Sequence, residues 1–214
     1  MLGKVLVLNG SPHVNGCTAT ALGEVIKTLN GEGIATELVQ VGKEKIRGCI
    51  ACNYCRDHGK CVFNDKVNEI AQKLESADGL IVGSPVYYAG PNATLLATLD
   101  RLFYSTMNMN KTMKVGAAVV NCRRGGNTAA FDRLNKYFAM NSMPLVTSTY
   151  WNQTHGFTSA DVKKDLEGLQ TMRNLGRNMA FLIKAISAEK KKSGLPQNEA
   201  KYFTSFPDGK TDVV

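Results

Sequence analysis

The sequence predicts an α/β domain built on a doubly wound, five-stranded parallel sheet of order 2-1-3-4-5. Three observations carry this. Five short apolar runs alternate with longer stretches of helical periodicity, the pattern of β-α-β crossovers. The runs are apolar at consecutive positions, as in Val5-Leu6-Val7-Leu8, which suits strands buried on both faces. The first, third and fourth runs each end in a polar, glycine-bearing loop, and right-handed crossovers in this order bring the first and third loops together at the switch point of the sheet.

Residues 4–8 are the first strand. The loop after it holds Asn9, Gly10, Ser11 and Pro12, and a helix follows with Ala19, Leu22, Val25, Ile26 and Leu29 at helical spacing, ended by Gly31 and Gly33. A strand, a short polar loop and a helix N-terminus make an anion seat, because free main-chain N–H groups and the helix dipole both favour negative charge. Ser11, Asn15, Cys17 and Thr18 can add side-chain donors. The loop is neither a Walker A motif nor G-x-G-x-x-G, which argues against a nucleoside triphosphate or a dinucleotide held in the Rossmann manner. The plain alternative is an ordinary βα turn carrying Gly, Ser and Pro.

Residues 36–41 form the second strand, and residues 42–64 are a cysteine-bearing insert with little periodicity. A loop this long in a compact domain is usually functional. Asp65 is placed to cap a helix that turns Val67, Ile70, Ala71 and Leu74 inward. Residues 79–83 are the third strand, and residues 84–91 are its loop, Ser-Pro-Val-Tyr-Tyr-Ala-Gly-Pro. A helix over 92–104 carries Leu95, Leu96, Leu99, Leu102 and Phe103. The fourth strand spans 114–120, its loop 121–127, and a helix 128–140. The fifth strand is expected at 144–150, followed by a loop through Trp151, His155 and Gly156. Asp161 is expected to cap the long last helix, whose inward positions are Val162, Leu166, Leu169, Met172, Leu175, Met179, Leu182 and Ile186. One domain over 1–190 and a polar tail over 191–214 result, the tail lying on the surface or reaching a partner subunit.

The 214 residues suit one domain with a full core. No run of about 18 apolar residues is present, so no membrane partner is expected, and the short N-terminal apolar run does not resemble a signal peptide, so a cytoplasmic location is expected. The net charge of +8 comes from dispersed residues, without a zinc-finger or RNP pattern, so a nucleic-acid partner is not expected. Six cysteines are present, four of them within the insert. So tight a cluster points to a metal, a cluster or redox thiols rather than a disulfide framework.

The second loop has what a flat heterocycle needs. Pro85 stiffens it, Tyr87 and Tyr88 offer faces for stacking, and Gly90 permits close approach. Residues 121–126 add main-chain donors and acceptors. Adjacent tyrosines often only finish packing at a loop, but together with an anion seat at the same crevice they favour a phosphorylated flat ring. The insert reads Cys49-x2-Cys52-x2-Cys55-x5-Cys61. Four thiolates this compact can hold [4Fe–4S] or a structural zinc ion, and Cys52 with Cys55 could be a plain redox pair. Val62, not Pro, follows Cys61, unlike a bacterial ferredoxin. His58, His155, Arg123 and Arg124 read as surface residues, and Cys122 as a packing residue.

These motifs together, GSPHVNGCT, GCIACNYC with GKC and Asp65 after it, SPVYYAGPNA and the GGN of the fourth loop, resemble the flavodoxin-like NAD(P)H-dependent FMN reductases, and specifically their iron–sulfur flavoprotein branch. The resemblance runs from Lys4 to about the end of the long helix. It implies a flavodoxin-like fold with FMN phosphate on Ser11, Asn15, Cys17 and Thr18. It implies the isoalloxazine against Pro85, Val86, Tyr87, Tyr88 and Gly90 on one side and Asn121, Gly125 and Gly126 on the other. It favours a [4Fe–4S] cluster on Cys49, Cys52, Cys55 and Cys61. Two positions depart from the family pattern: Cys17 stands where Asn is usual, and His13 where another basic residue is common. The implied activity is electron transfer from NADH or NADPH through FMN to a flavin, quinone or other acceptor, with the flavin carrying the chemistry and no side chain assigned a catalytic role. Two other readings stay open: a flavin and iron–sulfur electron carrier reduced by ferredoxin, and a Cys₄ zinc protein without flavin. A homodimer or homotetramer is expected.

Overall fold

A computed structural model describes residues 2–200, 202–204 and 211–213. Its centre is a parallel sheet of β1 (Lys4–Asn9), β2 (Ala35–Gln40), β3 (Gly79–Tyr87), β5 (Val115–Cys122) and β6 (Gln153–His155), in spatial order β2-β1-β3-β5-β6. These five strands follow the expected 2-1-3-4-5 order. A sixth, the two-residue β4 (Gly90–Pro91), pairs antiparallel with the end of β3. Tyr202–Thr204 and Thr211–Val213 form a separate antiparallel pair, β7 and β8, within the expected tail. The rest of the expected tail's last stretch, Lys201, 205–210 and Val214, lies outside the described residues.

The alternation of side chains along each strand sorts the core into two layers. Leu6, Leu8, Leu80, Val82, Ala118 and Val120 face α3 (Lys66–Glu75), α4 (Ala93–Ser105) and α5 (Asn127–Ala139). Val5, Val7, Ile81, Val115, Ala117 and Val119 face α1 (Cys17–Gly31) and α7 (Leu166–Ser193). Both faces are therefore covered, which is why the strands read as unbroken apolar runs. Among the described residues no helix is long and apolar enough to cross a membrane.

Four expectations need correction. Residues 144–150 do not form the fifth strand. Leu145 makes only an isolated bridge to Gly116, the chain bulges outward through the half-exposed, mutually tilted Tyr150 and Trp151, and the sheet resumes at Gln153. An edge strand has one partner, so a bulge there leaves few ladder bonds unmade. Asp161 does not cap the long helix. It completes a capping box with Thr158 for the short α6 (Ser159–Val162), and Asp165 caps α7 by accepting from Gly168 N. Leu166, expected inside, is exposed at the first position of α7. Asn121 and Cys122, expected in a loop, end β5. The insert also contains a short helix, α2 (Tyr54–His58).

Candidate functional site

The carboxyl ends of β1, β3 and β5 present three loops on one edge of the sheet. The first is tied down tightly. Gly10 N donates to Gly83 O at 2.7 Å, linking the loop to β3 across the switch point. Ser11 N donates to Asn9 Oδ1 at 3.0 Å, His13 N donates to Ser11 Oγ at 3.1 Å, and the Gln40 amide donates to Ser11 O. A Cβ on Gly42 would lie 2.2 Å from the Ser11 carbonyl carbon, so only glycine lets the end of β2 pass beneath this loop.

The start of α1 is bare. Its N-cap is Gly16, no side chain caps it, and its first turn holds no acidic residue. Thr18 is buried and its hydroxyl has no partner. By contrast, α3, α4 and α7 start under the side chains of Asp65, Asn92 and Asp165. Unpartnered donors at a helix start are costly unless a ligand or water meets them. The expected phosphate residues are gathered here: Ser11 and Thr18 are buried, His13 and Asn15 exposed. Cys17 is half-buried, and its thiol donates to Gly156 O at 3.6 Å. Burial pushes that thiol's pKa up.

The second loop is a two-residue hairpin. Tyr87 pairs with Gly90 and Val86 with Pro91, and the central residues Tyr88 and Ala89 have φ of 49° and 60°. Positive φ at both central positions is the primed turn that matches strand twist, but it strains residues other than glycine. Asn92 N donates to Ser84 Oγ at 2.9 Å and fixes the base of the hairpin. Tyr87 and Tyr88 stand exposed at its tip, with Pro85 and Val86 half-buried behind them.

The third loop leans on the second. Gly126 has φ of 92°, and a Cβ there would lie 2.8 Å from Ala89 Cα. Gly126 is also the N-cap of α5, with no side-chain cap. Asn127, the first residue of α5, is buried, and apart from the neighbouring Cys122 thiol its side-chain polar atoms have no partner. Among helices of at least ten residues in the described chain, only α1 and α5 start on glycine without a side-chain cap, and both open onto this crevice. Gly125 is exposed beside them. Asn121 is engaged elsewhere, bonded to Thr154 on β6. Cys122 is buried, which pushes its thiol pKa up, and His155 Nδ1 lies 3.7 Å from its sulfur.

A second locus lies in the insert. Cys49, Cys52, Cys55 and Cys61 line one pocket with Ile50, Val62, Phe63 and Arg101. Cys49 and Cys52 are exposed, Cys61 intermediate and Cys55 buried. Burial, with the nearby Cys61, Cys49 and Cys52 thiols adding to it, pushes the Cys55 pKa up. Two sulfurs already receive N–H donors: Cys49 from Ala51 N at 3.4 Å, and Cys61 from the Arg101 guanidinium at 3.2 and 3.3 Å. Among the described residues no three His, Cys, Asp or Glu side chains are placed to share a single metal ion.

Sequence reasoning missed Asn127 and Arg101. Asn127 had a signal, since it follows two glycines at a helix start. Arg101 had a weaker one, a charge set among the apolar positions Leu99, Leu102 and Phe103.

Comparison with known proteins agrees with this arrangement. The NADPH-dependent FMN reductase family model matches residues 3–158. An iron–sulfur flavoprotein of Methanocaldococcus jannaschii is 36% identical over 190 residues, covering 86% of this chain and 98% of that protein. An iron–sulfur flavoprotein of Methanosarcina thermophila is 28% identical over 192 residues, covering 88% and 100%. In fold, the chain is similar to RosB with bound 8-demethyl-8-formylriboflavin-5'-phosphate, with a TM-score of 0.68 and 15% identity over 89% of this chain and 82% of that one.

Proposed function

The chain belongs to the NADPH-dependent FMN reductase family and is a flavin-dependent oxidoreductase; from that premise we propose that it takes electrons from NADH or NADPH through FMN held at the crevice. The observation that carries the FMN reading is the bare start of α1 over the buried, unpartnered Thr18 hydroxyl. A phosphate monoester supplies the acceptors those donors lack, and its charge suits the positive helix end. Ser11, Asn15 and Thr18 hold it with side chains, Cys17 with its main-chain N–H, and His13 borders it. The hairpin of Pro85, Val86, Tyr87, Tyr88 and Gly90 walls one side of the ring. Gly125, Gly126 and the amide of Asn127 meet its polar edge, while Asn121 supports that wall from β5. Bound FMN supplies hydride acceptance and onward electron delivery. Donor and acceptor share the open side beside Tyr87 and Tyr88, so they bind in turn and the kinetics are ping-pong.

We further propose that Cys49, Cys52, Cys55 and Cys61 carry a [4Fe–4S] cluster that exchanges electrons with the flavin. The pocket suits it: four thiols line it, apolar side chains flank it, and N–H groups already point at two sulfurs. A cubane takes one thiolate per iron, so its ligands ring a body rather than meet at a point. The exposed Tyr88, Trp151 and Phe157 support a homodimer or homotetramer that covers the crevice.

Anaerobic purification with iron and sulfide analysis, FMN titration calorimetry of the apoprotein, and flavin bleaching by NADH or NADPH under argon test these readings. Saturable FMN uptake and bleaching by either nucleotide are expected. Colourless protein without uptake overturns the flavin reading, and flavin reduced by ferredoxin but by neither nucleotide selects an electron carrier.

A further inference from the structure

We infer that Arg101 sets the reduction potential of the cluster by hydrogen-bonding the sulfur of one ligand, Cys61, from a buried position balanced by Asp65. The inference rests on the cluster reading above. Arg101 sits in the middle of α4 and is 1% exposed. A guanidinium so buried is strongly destabilising unless its donors are met. All five N–H groups have acceptors. Nη1 donates to Asp65 Oδ2 at 2.7 Å and to Arg47 O at 3.3 Å. Nη2 donates to Asp65 Oδ1 at 2.9 Å and to Cys61 Sγ at 3.2 Å, and Nε donates to the same sulfur at 3.3 Å.

The main chain of Cys61 is held as well. Cys61 N donates to Asn68 Oδ1 and Asn68 Nδ2 donates to Cys61 O, both at 3.0 Å. Asp65 caps α3 by accepting from Val67 N at 3.1 Å. Cys61 is thus fixed between α3 and α4, whereas Cys49 and Cys52 are exposed. A structural staple between these helices would need only the Arg101–Asp65 fork. The further pair of donors aimed at a ligand sulfur is what points to the cluster.

The electrostatics give a sign. A cluster with four thiolates gains a negative charge when it accepts one electron. Hydrogen bonds to a ligand sulfur and a nearby positive charge favour the reduced form, and net charge and hydrogen bonding are among the quantities that set such potentials. Little water reaches the Arg101 side chain, so the interaction is weakly screened. The Asp65 carboxylate opposes it in part. Arg101 therefore acts through Cys61 as a positioning residue that raises the potential, with the electron coming from reduced flavin or an external one-electron donor.

The test is a dithionite titration of anaerobically purified holoprotein with viologen mediators, read by electron paramagnetic resonance, alongside iron and sulfide analysis. Arg101→Gln should disfavour one-electron reduction about tenfold, a shift of about 59 mV to more negative potential. Arg101→Lys, which keeps the charge without the fork, should fall between it and the native protein. Asp65→Asn keeps a competent helix cap but removes a negative charge, so it should shift the potential upward. Opposite shifts in the Gln and Asn variants support the inference. Iron-loaded variants with unchanged potentials, or shifts of the same sign, overturn it while the cluster reading stands. Native protein without iron or sulfide overturns the cluster reading and this inference with it. If Arg101→Gln fails to hold iron, Asp65→Asn decides: an upward shift supports the inference and none overturns it.

Discussion

The Asn121 side chain donates to both the carbonyl and the hydroxyl oxygen of Thr154, each at 3.0 Å. Both residues are buried, and the two bonds fasten the three-residue β6 to the end of β5. The amide hydrogens of Asn121 are spent on the sheet rather than on a ligand. Asn121→Ala should therefore cost about 1–3 kcal/mol in urea unfolding, the cost of leaving buried groups unpaired. FMN affinity should fall by less than about threefold, well under 1 kcal/mol. A large affinity loss with unchanged stability would return Asn121 to the ring site.

Thr18→Val should separate binding from folding. The substitution keeps the shape and removes a buried hydroxyl that has no partner within the protein. Stability of the apoprotein should stay level or rise by up to about 1 kcal/mol. FMN affinity should drop about tenfold or more, as when a hydrogen bond to a charged group is lost. Calorimetric FMN titration and thermal unfolding of the same sample read both effects, and a loss of apoprotein stability would count against the phosphate role.

The strained hairpin makes a paired prediction. Ala89 has φ of 60°, so Ala89→Gly should stabilise by about 0.5–1 kcal/mol, the relief of left-handed strain less the entropy of glycine. Gly126→Ala should destabilise by at least about 1 kcal/mol, because its φ is positive and its Cβ would press on Ala89. It should also weaken FMN binding by moving the hairpin. Denaturant unfolding and FMN titration check both variants.

Thiol labelling of metal-free protein should be ordered. Cys49 and Cys52 are exposed, whereas burial raises the pKa of Cys55 and of Cys122. At pH 7 iodoacetamide should modify Cys55 and Cys122 at least about tenfold more slowly than Cys49 or Cys52, because the thiolate is the reactive form. Peptide mass spectrometry over a time course gives the ranking.

Lys111 gives a pH dependence of definite sign. It is 4% exposed, its ammonium donates to Thr106 O and, at 3.1 Å, to Met109 O, and burial, with Lys114 nearby, lowers its pKa to about 8. Below about pH 8 both folded and unfolded states carry the proton, so the group adds no slope. Between about 8 and about 10.5 the unfolded chain binds more protons, so stability rises with pH. The native protein should gain about 1–3 kcal/mol over that window relative to Lys111→Met. Urea midpoints at pH 7 and pH 10 for both proteins check this, and a constant difference between them would refute it.

The buried parallel strands were legible because both-sided burial writes itself as consecutive apolar residues, and Asp65 was legible as a cap because its bond to Val67 N is local. The edge strand was not. Residues 144–150 look like a strand, but an edge tolerates a bulge that a central strand would not. Asp161 and Asp165 are equivalent as letters, and only the capping box with Thr158 assigns the first to α6. The crevice loops could be read from their glycines, tyrosines and polar residues. The engagement of Asn121 and the fork from Arg101 to Asp65 could not, because their partners lie 33 and 36 residues away and are brought together only by the folded sheet and helices.

The outward bulge ahead of β6 carries the chain's single tryptophan, Trp151, half-exposed and tilted 57° against Tyr150 at 4.9 Å. Oxidised isoalloxazine absorbs across the indole emission band, and a domain of this size keeps every donor within a few tens of ångströms of the crevice. Coenzyme loading is therefore readable as resonance energy transfer from one intrinsic fluorophore, without a label and without disturbing any of the six cysteines.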